Sequence, residues 1–133
     1  MSGIMDLKRL LQTMSPVTRE DDYVFCTVNG DITEYLQYAP LATFQEQEGL
    51  TLVVTAQAAE AAAIKYESTF RCITLTVHSS LEAVGLTAAV STALAKHGIS
   101  ANVIAAYYHD HVFVPADKAD LALQVLTDLT NQS

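Results

Sequence analysis

Apolar side chains at Leu7, Leu10, Leu11 and Met14 recur at helical spacing and share one face, so the chain opens on a short amphipathic helix. The Ser15-Pro16 step ends it, because a residue before proline is pushed out of the α region. TREDDYVFCTVNGD then gives a charged entry, a strand over about Tyr23 to Val28, and a turn at NGD. A hairpin follows, with arms at about Leu41–Glu46 and Thr51–Thr55 and Glu48-Gly49 at its turn. The alanine-rich AQAAEAAAIKY predicts a helix.

TFRCITLTVHSS is the clearest strand, and LEAVGLTAAVSTALAKHG the clearest helix. That helix begins near Glu82, with Ser79 or Ser80 as N-cap, and ends at Gly98 in the position of a left-handed cap. Two strands follow, about Ser100–Tyr107 and Val112–Val114, hinged at YHDH. Past Pro115, the residues Ala119, Leu121, Ala122, Val125, Leu126 and Leu129 give a last helix. From Phe70 onward the order is strand, helix, strand, strand, helix. The earlier half runs strand, irregular or helical link, strand, strand, helix. Two such units suggest an internal duplication, divided as residues 1–66 and 67–133. The order βαββα, with a further strand expected, is that of a split βαβ, an α+β fold. The second unit lacks its own last strand. Either the strand at Phe70–Val77 is shared or the units complete one another.

At 133 residues and half hydrophobic, the chain can bury one ordinary core or two small ones. Its net charge of −8, with seven Lys and Arg, argues against a nucleic-acid partner. No apolar run approaches the length of a transmembrane helix, and the N-terminus lacks a signal peptide's apolar stretch. A cytoplasmic location is expected. Cys26 and Cys72 sit in strand-like runs, where reduced, buried cysteine acts as a small hydrophobe.

The candidate chemistry centres on His109, Asp110 and His111. Alternation along a strand puts both histidines on one face and the aspartate on the other. Two imidazoles at this spacing can hold a divalent metal, but a site needs a third and usually a fourth ligand. His78, His97 and the carboxylates offer no diagnostic spacing, and His97 suits a helix C-terminus. YHDH therefore reads first as a polar turn. A triad drawn from Ser79 or Ser80 with these residues lacks the GxSxG elbow. No glycine-rich phosphate loop is present. Glu46 and Glu48 read as solvated turn residues. No catalytic residue, metal or cofactor is assigned. VHSSLEAVG is different in kind. A helix starting just after a strand offers unpaired N–H groups that suit a carboxylate or phosphate. Gly85, Ala88 and Ala89 would let a ligand or a second backbone approach. Alternatively, the serines cap the helix and the small residues pack it on the sheet.

VGLTAAVSTALAKHGISANVIAAYYHDHVFVP resembles the regulatory ACT module of aspartate kinases and related amino-acid sensors. The likeness lies in a helix ending ALAKHGI, then SANVIAAYY, a short turn and VFVP. Asn102-Val103 stands where such modules often carry Asn and an aliphatic residue. With DLKRLLQTMSPV, YVFCTV and EGLTLVV, the chain resembles small free-standing bacterial proteins of two ACT-like units over nearly its whole length. The resemblance implies a ferredoxin-like βαββαβ fold, two units in tandem, with antiparallel sheets and helices on one face. It implies a homodimer or higher homo-oligomer, and an amino acid or similar small metabolite bound where units meet. The residues it would place there are His78, Ser79, Ser80, Leu81, Glu82, Ala83, Val84, Gly85 and Leu86. Asn102, Val103 and Ile104 would form the facing wall. Helix N–H groups would take the α-carboxylate, and strand carbonyls or Glu82 the ammonium. The chain departs from the kinases in carrying no catalytic domain and in reading SSLEAVG where they usually show an earlier glycine. The expectation is a free-standing regulatory or sensor protein, not an enzyme. The competing readings are an oligomerisation module without a ligand, and a small enzyme or metal binder using His109, Asp110 and His111.

Overall fold

The computed structural model describes residues 6–77 and 84–132. The first helix, α1, is Leu7–Thr13, started by Asp6, whose carboxylate accepts from the Lys8 N–H at 3.0 Å. Met14 is already extended ahead of the Ser15-Pro16 step. Strand β1 is Ser15–Val28, so it begins well before Tyr23. The charged entry TREDD is itself strand. Its polarity hides it, because a strand needs backbone partners rather than apolar side chains on both faces. Two 3-10 turns follow, Ile32–Glu34 and Leu36–Tyr38. Then come β2 (Ala42–Glu46) and β3 (Gly49–Thr55). The hairpin turn is Gln47-Glu48, and Gly49 already pairs with Glu46. A Cβ at Gly49 would stand 2.8 Å from Thr27 Oγ1 and 3.2 Å from the Val28 carbonyl, so β1 passes too close for a side chain.

Helix α2 is Ala56–Ala61, capped by Thr55, whose hydroxyl accepts from the Ala58 N–H at 3.1 Å. The alanine run predicts helix as far as Tyr66, but the chain leaves it at Ala62. Ala63 turns left-handed at φ 57°, and the Ile64 N–H closes on the Ala59 carbonyl at 2.9 Å. This sends Ile64 and Tyr66 onto a core, and their burial outweighs alanine's small helix preference. The rest is β4 (Phe70–Thr76), α3 (Leu86–Ala95), β5 (Asn102–Ala105), β6 (Asp110–Pro115), a 3-10 turn and α4 (Ala119–Gln132). Gly98 closes α3 at φ 71°, with the Ile99 N–H on the Leu94 carbonyl.

By packing, residues 1–20 group with 71–133, and residues 21–70 form a second unit inserted between them. In the outer unit the strand order is β1 (its first half), β4, β6, β5. β5 and β6 are antiparallel, with Asn102 opposite Phe113 and Ile104 opposite His111. The strand absent from the end of the chain is supplied by Ser15–Glu20. Thr76 Oγ1 donates to the Ser15 carbonyl at 2.6 Å, and the Arg71 guanidinium donates to the Arg19 carbonyl at 2.6 and 3.2 Å. Leu10, Ile73, Leu75, Leu94, Val112 and Leu126 anchor a core between this sheet and α1, α3 and α4. In the inserted unit the order is β2, β3, β1 (its second half), with Val24, Cys26, Leu52, Val54 and Ala59 as the core. Phe25 and Phe70 meet edge to face at 5.4 Å.

Candidate functional site

Of the residues expected to hold a ligand, His78, Ser79, Ser80, Leu81, Glu82 and Ala83 lie outside the described residues. The chain is described again from Val84, which is 81% exposed. Helix α3 starts at Leu86 rather than near Glu82, and its N-cap is Gly85, not Ser79 or Ser80. Glycine fits because φ is +103° there and an added Cβ would lie 3.2 Å from Leu7 Cδ2. Among the described residues no side chain caps this helix, and at its start the Ala89 N–H donates to the Gly85 carbonyl at 2.9 Å. Among the described residues, no side chain caps the first-turn N–H groups of Leu86, Thr87 and Ala88. The Leu86 side chain is buried in the core, so this residue can serve a ligand through its backbone alone. Beside Gly85, Ala88 and Ala89 runs an open groove of about 700 Å³, closed by Leu7, Val125 and Leu129.

The three expected wall residues do not share a face. Val103 packs on the core, while Asn102 and Ile104 point away from the helices, beside Phe113 and His111. The polar turn is Ala106–His109, closed by the Ala106 N–H on the His109 carbonyl at 3.1 Å. Asp110 and His111 belong to β6, not to a hinge. Tyr107 and Tyr108 stand exposed at the tip. His111 Nδ1 and Thr74 Oγ1 share a hydrogen bond of 3.0 Å. Burial holds the His111 imidazole below its ordinary pKa, helped by Arg19 and His109 and opposed by Asp110. Burial raises the Asp110 carboxyl, against the pull of both histidines. Cys26 and Cys72 are free thiols pushed up by burial, Cys72 against the pull of Arg19. His97 Nδ1 lies 3.1 Å from the Ala93 carbonyl at the end of α3. Among the described residues, no three His, Cys, Asp or Glu side chains gather as a metal site.

The inserted unit carries the corresponding strand-to-helix junction at Asn29-Gly30-Asp31. Here the donors are taken. The Asp31 carboxylate accepts from the Thr33 N–H at 3.3 Å, and Glu34 Oε2 accepts from the Asp31 N–H at 2.9 Å. Gly30 has φ +111°, and a Cβ on it would stand 2.6 Å from Glu34 Oε2. Beside this junction an open groove of about 610 Å³ reaches the β2–β3 turn, lined by Asp31, Gln45, Glu46 and Glu48. The sequence signal for this box was the acid-x-x-Glu spacing of DITE, which the turn reading of NGD passed over.

Two family models described as ACT domain match the chain, one over residues 2–71 and one over 67–128. Among curated proteins none matches. A Vibrio cholerae protein, described as of unknown function and a possible transport protein, is 59% identical. That match covers 93% of this chain and 95% of the other, with a TM-score of 0.87. An Agrobacterium tumefaciens protein is 12% identical over 88% of this chain and 89% of its own, at TM-score 0.73. The regulatory subunit of aspartate kinase from Thermus thermophilus, in a ligand-free form, is 14% identical over 90% of this chain and 97% of its own, at TM-score 0.64. The last two likenesses are of fold. No helix among the described residues is long and apolar enough to cross a membrane.

Proposed function

The chain belongs to the ACT-domain family, as two such domains in tandem, and from that premise we propose that it is a regulatory protein that senses an amino acid or similar small metabolite. ACT domains are regulatory modules that typically bind amino acids and assemble. Along the sequence we take the two domains as residues 1–66 and 67–133. The ligand is held by the segment His78–Leu86, with a facing wall drawn from Asn102, Val103 and Ile104 of β5. The site forms where copies of the chain associate as a homodimer or larger homo-oligomer. The reading is regulatory rather than catalytic, and cytoplasmic.

The observation that supports it best is the start of α3, which no side chain among the described residues caps. Gly85 has no side chain to fold back, and first-turn N–H groups of a helix suit an anionic oxygen. An α-carboxylate is such a group. The test is a thermal-shift screen against the proteinogenic amino acids, with and without chelator. A ligand at a hundredfold excess over its Kd stabilises the native state by about 2.7 kcal/mol. A rise with one or a few amino acids, unchanged by chelator, is the expected result. Oligomers that no amino acid stabilises would replace this reading with an assembly module.

A further inference from the structure

Gly85 both opens α3 and borders the groove of about 700 Å³ that runs along it, a volume in the range of small-ligand pockets. The groove is mostly apolar. Leu7 of α1 and Val125 and Leu129 of α4 line it, while the small side chains of Ala88 and Ala89 leave the room. Leu7 is the residue that meets Gly85, so the apolar lining reaches the start of the helix.

The same groove holds a carboxylate and an ammonium group, Asp128 of α4 and Lys96 at the end of α3. Asp128 comes one residue before Leu129. Its Oδ1 accepts from Gln124 Nε2 at 2.9 Å, which orients the carboxylate and leaves it acceptor capacity to spare. Lys96 stands about 16 Å along the helix from Gly85, beyond the length of one amino acid. His97 at that far end is turned to its own helix, with Nδ1 3.1 Å from the Ala93 carbonyl.

We infer that the ligand is a neutral aliphatic amino acid, such as leucine, isoleucine, valine or methionine, whose side chain lies in this groove and whose ammonium group donates to Asp128. The inference rests on the amino-acid reading above, which seats the α-carboxylate at the start of α3. An aliphatic side chain gains by leaving water for Leu7, Val125 and Leu129. A hydroxyl or amide would give up water for the same apolar walls. An acidic side chain would bring a second carboxylate toward Asp128, and a long basic one would run toward Lys96. Charge thus excludes both ends of the amino-acid range, and the apolar lining selects among the rest.

The test is calorimetric titration of the full chain with each proteinogenic amino acid and with 4-methylpentanoate, which is leucine without its ammonium group. The aliphatic amino acids should bind tightest. 4-Methylpentanoate should bind at least about tenfold more weakly than leucine, the loss expected for a charged hydrogen bond. Asp128→Asn should weaken leucine by the same factor and leave 4-methylpentanoate unchanged, so that the gap between them closes. Ala88→Phe narrows the groove and should weaken both. Asp128 and Ala88 are exposed, so both variants should keep the fold, which circular dichroism checks. Tighter binding of acidic, basic or hydroxylated amino acids would overturn the inference and leave the amino-acid reading standing. Binding by no amino acid would end both. Leucine binding that survives either variant unchanged would overturn the groove as its seat. If one variant does not fold, the other decides.

Discussion

The two strand-to-helix junctions of this chain solve the same problem in opposite ways. At Asn29-Gly30-Asp31 the backbone donors meet acceptors from their own segment, Asp31 and Glu34. At Gly85 no side chain among the described residues caps the helix start. Both junctions use a glycine at positive φ, yet for different neighbours: a carboxylate crowds Gly30, and the Leu7 methyl groups crowd Gly85. A repeated architecture thus carries one junction closed by its own side chains and one that no described side chain closes. A ligand that needs backbone N–H groups has reason to choose the second.

The strongest way to break this contrast is Gly30→Ala. Its Cβ collides with the Glu34 carboxylate and forces an unfavourable φ, so unfolding should become easier by about 2–4 kcal/mol in a urea titration. Adding Glu34→Ala should recover part of that loss, since both changes act on one contact. Gly85→Arg should cost about 1–3 kcal/mol in backbone strain. It should also abolish any thermal shift from an amino acid, and a variant that keeps the full shift would move the site elsewhere. Asp31→Ala removes one arm of the capping box and should cost about 1 kcal/mol without changing that shift. Thr87→Glu sharpens the contrast from the other side. Thr87 is exposed in the first turn of α3, so a carboxylate there should stabilise by about 0.3–1 kcal/mol while weakening the amino-acid response.

The smallest effect is one of pH. The folded state holds His111 below its ordinary pKa of 6.5 through burial, Arg19 and His109. Its neutral form is therefore favoured on folding. Stability is full above pH 6.5 and falls as pH drops below it, until the lowered folded value is passed. Asp110, raised by burial, acts in the reverse sense: it loses stability as pH rises from its ordinary 3.8 through the raised value. Thermal melts of His111→Gln should lack the fall below pH 6.5.

Periodicity served well where burial is one-sided. The last helix, β4, the β2–β3 hairpin and the left-handed cap at Gly98 all follow from apolar spacing and turn residues. It failed where the decisive contact is distant or made by backbone. Nothing local in TREDD announces that Ser15 and Arg19 accept bonds from residues of β4. Nothing in LEAVG announces that the helix waits for Gly85, because the competing serines are good caps and the reason for glycine is the approach of Leu7. His109 lies in the turn before β6, beyond the reach of strand alternation, but the side of the sheet that His111 takes was legible from it. Its neighbours Thr74 and Arg19 were not, since they come from strands far away in sequence.

The split of β1 between the two units has a consequence for the order in which the protein is made. Residues 21–70 leave the ribosome as a contiguous block and can pack at once, whereas the outer unit must hold α1 and the first half of β1 in waiting until β4 and the rest arrive. The Phe25–Phe70 contact draws the ends of the inserted block together, so the long loop that the outer unit must close is already shortened when synthesis reaches it. Chain closure in the outer unit is thereby shortened by the residues already packed in the inserted one.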